Sequence, residues 1–177
     1  DEHLMQPHGD LLEQWAAAIE AGSLDPIVHR NAGLAAYNVV HDDDAAVRFY
    51  ERALELDPEE PRLLFERDQL AQRLGETAEQ RLARLESNTA VVLERDDLLI
   101  EYADLLVSAG RAAEALALID DRRFQPWEGG EGQAIATWDL TLDALGMPRT
   151  DPPETLGEAR AAYVPPVARH DDGVTDY

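Results

Sequence analysis

The sequence predicts an all-α fold, a right-handed solenoid of stacked antiparallel helix pairs. Three observations lead there. Ala and Leu supply 27 and 24 of the 177 residues, whereas Val and Ile together supply 15, a balance that favours helix over strand. Phrases that end a helix return with a period of about 34 residues, in the range of helix-pair repeats. Proline and glycine fall where pairs turn or stop, and proline cannot continue a helix.

The elements follow in order. Residues 1–9 read as a mobile N-terminal segment, 10–150 as one helical-repeat domain, and 151–177 as a Pro-rich, acidic extension with at most a short helix near 153–162. Leu11, Leu12, Trp15, Ala18 and Ile19 share one helical face and read as the second helix of a pair that lacks its first. Such a half repeat predicts a chain cut or processed from a longer one, or an end capped by a partner. The clearest unit runs from Pro26 to Pro58. Its first helix carries Val28, Ala32, Gly33, Ala36 and Tyr37, His41 to Asp44 form a polar turn, and the second helix carries Ala46, Tyr50, Ala53 and Leu54. Small residues at Gly33, Ala46 and Ala53 predict a close helix-helix approach. A second unit places helices at Leu63–Leu74 and Ala78–Leu85, hinged at Gly75. A third runs from Asp96 to Asp120, with Leu99, Tyr102, Ala103 and Leu106 on one stripe, Gly110 in the turn, and Ala115, Leu116 and Ile119 on the other. A last helix, Gly132–Leu145, turns Ile135, Trp138, Leu142 and Leu145 to one side.

The stretch AAVRFYERALELDPEEP, Ala45 to Pro61, resembles the second-helix consensus of tetratricopeptide repeats. Two features depart from that pattern: His29 stands where an aromatic is usual, and the turn after the first helix is one residue longer. The runs Phe65–Gly75, Arg81–Glu86, Arg122–Gly132 and Pro152–Arg160 resemble, more closely, the helical-repeat region of large bacterial proteins that also carry a β-rich domain of unknown function. The resemblance implies a protein-interaction scaffold or, through the suspected carbohydrate connections of those large proteins, an accessory part of a carbohydrate-active protein.

Charge excludes several classes. With 37 acidic and 15 basic residues the formal net charge is −22, which argues against a nucleic-acid partner and an anionic membrane surface. All 15 basic residues are Arg. A GC-rich genome explains missing Lys, and a salt-rich cytoplasm explains a dense negative surface. No apolar run approaches the length that spans a bilayer, the N-terminus lacks the regions of a signal peptide, and no cysteine is present; the chain reads as cytoplasmic. None of the five histidines shows metal-ligand spacing, and Asp42, Asp43 and Asp44 lack the Gly and Glu of a calcium loop, so neither a metal nor a cofactor is expected. No phosphate loop or nucleophile elbow occurs, and no catalytic residue is assigned.

Two constellations remain. Trp127, Glu128 and Glu131 in the loop PWEGGEG pair an aromatic with carboxylates, the chemistry of sugar contact; the structural alternative is that Trp127 and Phe124 close the end of the solenoid. The tetratricopeptide resemblance implies a concave wall of first-helix residues: Arg30, Leu34, Tyr37 and Asn38, then Arg62, Phe65, Gln69 and Arg73, then Ile100, Asp104 and Ser108. Three guanidinium groups on that wall suit a carboxylate or acidic peptide; the alternative is local pairing, as of Arg62 with Glu66. The expected function is a non-catalytic module that binds a peptide, a partner domain or itself. Leu11, Leu12, Trp15 and Ile19 would carry a homodimer contact.

Overall fold

A computed structural model of the chain describes residues 7–120, 122, 124 and 131–150, apart from the side chains of 7–12 and 131. All regular structure among them is helical: α1 (Pro7–Glu20), α2 (Pro26–Ala35), α3 (Asp43–Leu56), α4 (Pro61–Arg73), α5 (Ala78–Glu86), the single turn α6 (Thr89–Val92), α7 (Asp96–Ser108), α8 (Ala112–Ile119) and α9 (Glu131–Ala144). Helix α1 begins at Pro7, inside the stretch 1–9 expected as an N-terminal segment. Proline is tolerated in a first helical turn, where no intrahelical partner awaits its missing N–H. Residues 1–6 and the extension 151–177 lie outside the described residues. The chain divides into two compact units at Leu99–Ile100.

In the first unit, α1 packs on α2, α2 on α3, and α3 on α4. Asp25 caps α2 by accepting from the Ile27 amide at 2.9 Å, and Pro26 opens the helix. The extra residue of the first turn does not lengthen the loop. It is absorbed in a π-helical turn, Ala36–Val40, which continues α2. His41 then takes the left-handed conformation at φ 59°, and Asp42 N–H donates to Ala36 O at 3.0 Å. Only Asp42 separates His41 from α3, so α2 and α3 form a tight antiparallel hairpin. Asp42 caps α3, accepting from the Ala45 amide at 2.8 Å, while Asp43 and Asp44 sit in its positive first turn.

Gly33 lets α2 approach α3 closely, beside the Ala46 backbone. Ala46 and Ala53 are completely buried, and Tyr50 lies against Gly33. Downstream, Glu60 caps α4, and a reciprocal Thr77–Gln80 capping box opens α5. Gly75 turns between them at φ 75°, a conformation that costs glycine little. The turn α6, which follows the second pair in sequence, buries Val91 and Val92.

The second unit begins within α7. Ile100, Tyr102, Ala103, Leu105 and Leu106 are buried, as are Ala112, Ala115 and Ile119 of α8, with Gly110 turning between the two helices. Helix α9 packs on α8 and buries Ile135, Trp138 and Leu142, together with Thr137 and Thr141. Thr141 satisfies its hydroxyl inside the helix by donating to Thr137 O at 2.7 Å.

A Cβ on Gly33 would stand 2.8 Å from Tyr50 Cδ2 and 3.0 Å from Cε2. Overpacking of this kind costs about 1–3 kcal/mol, more than the ~1 kcal/mol that alanine gains over glycine in a helix interior. Gly33→Ala is therefore expected to lower the urea midpoint. An unchanged or raised midpoint would show that the Tyr50 ring moves aside freely.

Candidate functional site

The first-helix wall is built on α2, its π-helical continuation and α4. Arg30, Leu34, Tyr37 and Asn38 recur at helical spacing along the first, as do Arg62, Phe65, Gln69 and Arg73 along the second. Glu66 joins the two. Arg30 Nε donates to Glu66 Oε2 and Nη2 to Oε1, both at 2.6 Å, the fork-on-fork geometry of a strong guanidinium-carboxylate pair. Arg62 Nε donates to Oε1 at 2.9 Å from one turn earlier in α4. Tyr50 Oη, arriving from α3, donates to Oε2 at 3.1 Å. Two cations and a phenol thus share one carboxylate.

Electrostatics follow from this sharing. Burial by itself would raise the Glu66 carboxyl, but the hydrogen bonds of Arg30 and Arg62, the Arg30 charge and the Tyr50 hydroxyl prevail and hold it below the usual carboxylate range. Burial, and then the Glu66 charge, push the Tyr50 hydroxyl well above the ordinary tyrosine value. The cluster keeps one more cation than it has anions.

Two further guanidinium groups lie over aromatic rings. Arg73 sits 5.9 Å from the Tyr37 ring centroid, and Arg95 sits 5.2 Å from that of Phe65. Arg95 also pairs with Asp97 through both carboxylate oxygens, at 2.7 and 2.8 Å. Leu34 and Tyr37 pack on the Ala36–Ala46–Tyr50–Leu70 cluster, Asn38 is exposed, and Gln69 is half-buried. The paired state of Arg62 expected as the structural alternative is present, and Arg30 joins it.

The third-unit residues behave differently. Ile100 is completely buried and cannot line an open wall. It ends the apolar run Leu98–Ile100, all three buried, so a position carried over from the repeat pattern lands inside the core. Asp104 Oδ1 accepts from Thr137 Oγ1 at 2.7 Å, and Ser108 Oγ donates back to Asp104 O at 2.9 Å. Gln133 Nε2 donates to Glu101 Oε1 at 3.4 Å, a second polar tie between α7 and α9.

Other expectations lie at the margins of the description. Trp127 and Glu128 fall outside the described residues, and Glu131 opens α9 without a described side chain. The side chains of Leu11 and Leu12 are likewise outside, while Trp15 and Ile19 are half-buried. His29 packs at 4% exposure and donates from Nε2 to Ser23 O at 2.9 Å. Among the described residues, no group of three metal-ligating side chains gathers, and no helix is long and apolar enough to cross a membrane.

Sequence reasoning missed a second charge network. Arg67, Asp68 and Arg81 are buried, although their helices read as polar. Arg81 grips Asp68 through both oxygens at 3.1 and 2.6 Å. Arg67 bridges Glu51 at 2.7 Å and Glu76 at 2.8 Å, and Arg84 also binds Glu76. Three arginines and three carboxylates thereby link α3, α4, α5 and the turn between the last two. Only the density of Arg in Phe65–Glu86 hinted at this; the pairs themselves span up to 16 residues.

Burial raises the Asp104 carboxyl above the usual range; the Thr137 bond opposes the rise and the Glu101 charge adds to it. The folded state therefore holds this proton to higher pH than the unfolded chain does. The resulting stability is present at low pH and is lost as pH rises from the ordinary aspartate value through the raised one. Asp104→Asn keeps an oxygen for Thr137 and removes the charge. The variant should melt above the parent at neutral pH, with the gap closing on acidification. Equal melting temperatures at every pH would mean that the carboxylate is well solvated.

No protein-family model matches the chain. Among solved structures it is similar to YrrB, a TPR protein with an unusual peptide-binding site, at 22% identity over 75% of each chain with a TM-score of 0.49.

Proposed function

We propose that the chain is a non-catalytic interaction module whose α2–α4 wall binds a carboxylate-rich segment of a partner protein. The observation that carries this reading is the convergence of Arg30 and Arg62 on the single carboxylate of Glu66. It leaves a local excess of positive charge on a chain whose net charge is −22. The exposed Arg62 is free to exchange part of its bond to Glu66 for a partner's carboxylate, because its side chain stays 57% accessible. The Tyr37 and Phe65 rings, each beneath a guanidinium group, supply apolar area for the same partner. Asn38 and Gln69 flank the wall with amide groups suited to a peptide backbone.

The chemistry makes this binding electrostatic and salt-sensitive. Screening acts over about 8 Å at physiological ionic strength, so the long-range repulsion of an acidic partner is damped while contacts at the wall persist.

Fluorescence anisotropy with a panel of labelled acidic peptides, each matched to a Gln/Asn counterpart, tests the reading. Acidic members should bind and neutral ones should not. Arg62→Gln should weaken binding about 3- to 10-fold, the scale of one hydrogen-bonded contact at an exposed position. Equal binding of both peptide sets, or affinity untouched by Arg62→Gln, would remove the wall as the site.

A further inference from the structure

A second concavity lies away from Glu66, where the turn between α1 and α2 meets α3. It is an open hollow of about 390 Å³, a volume within the ordinary range of small-ligand sites, roughly 300–1,000 Å³. Its walls are Ile19 from α1, Leu24 from the turn and Phe49 from α3. His29 lines it from α2, and Arg48 and Arg52, one turn apart on α3, complete it. No acidic residue is among its lining groups, although the chain carries 37 acids.

We propose that this cleft binds a carboxylate carried on an apolar body. The apolar part would lie against Ile19, Leu24 and Phe49. The carboxylate would meet Arg48, which has no ion pair among the described residues, with Arg52 beside it. Arg52 already pairs with Glu55 at 2.8 Å, but both side chains are exposed and such pairs are weak. One uncompensated guanidinium matches a single negative charge better than a doubly charged phosphate. His29 donates Nε2–H to Ser23 O, which holds the imidazole in place as part of the cleft wall.

This site is independent of the α2–α4 wall, since none of its lining residues belongs to that wall. Its ligand could be a small aryl or alkyl acid, or the terminal carboxylate of a peptide ending in an apolar residue. Both present the same chemistry.

Isothermal titration with 3-phenylpropanoate and its uncharged amide tests the proposal. A third arm uses a short peptide ending in phenylalanine, with a free or an amidated C-terminus. The acid should bind saturably and the amide should not. Arg48→Gln, at an exposed position, should weaken the acid about tenfold or more. Glu55→Gln releases Arg52 and should tighten it. Binding of the free-carboxylate peptide in addition would identify a chain terminus as a source; binding of the small acid alone would identify a metabolite-sized ligand. Absent binding of the acid, equal binding of acid and amide, or an affinity unmoved by both variants would overturn the proposal.

Discussion

One carboxylate ties the first unit together. Glu66 receives Arg30 from α2, Tyr50 from α3 and Arg62 from its own helix. Each approach depends on another feature of the chain. Tyr50 reaches Glu66 only because Gly33 has no side chain where the ring passes. Arg30 reaches it because the α2–α3 hairpin is closed tightly by the π-helical turn, with Gly33 beside the Ala46 backbone. The partly buried ion pair is thus the result of apolar packing as much as its supplement. Removing the carboxylate would leave Arg30 without its main counter-charge, and an uncompensated, partly buried cation is costly.

The same logic governs Asp68. A completely buried carboxylate is tolerable because the Arg81 fork meets both oxygens. Arginine suits this role better than lysine, since its planar group saturates two acceptors and sheds water more readily. A chain whose cations are all arginine can therefore place charge inside a helical stack. Such pairs bring little net stability against a well-packed apolar alternative. They do fix the position of α5 against α4, because a slip of one residue would strand Arg81 and Asp68 in a region closed to water.

Much of the fold was legible in the sequence. The helices α2 to α5, α7, α8 and α9 follow from apolar spacing bounded by Pro26, Pro61, Gly75, Gly110 and Gly146. The close approach was legible in Gly33, Ala46 and Ala53. The single turn α6 was not, because four residues are too few to show a period, although the pair Val91–Val92 marked its burial. The extra residue after α2 was visible as a longer turn, but its accommodation as a π-helical turn depends on backbone hydrogen bonds that no side chain announces. At the site, Arg62–Glu66 was legible as an i,i+4 pair. Arg30–Glu66, 36 residues apart, depends on α3 holding α2 and α4 within a side chain's reach of each other. The cleft at His29, Arg48 and Arg52 was invisible for the same reason: its walls come from three helices and a turn, and no one of them shows a motif.

The most direct measurement is the titration of the Glu66 carboxyl by carbon-detected NMR, in the parent and in Arg30→Gln. The shared-counterion account predicts a value below the ordinary glutamate range in spite of burial, rising when Arg30 is replaced. A parent value at or above the ordinary range, unmoved by that replacement, would contradict it, because the guanidinium groups would then not meet on Glu66 in solution.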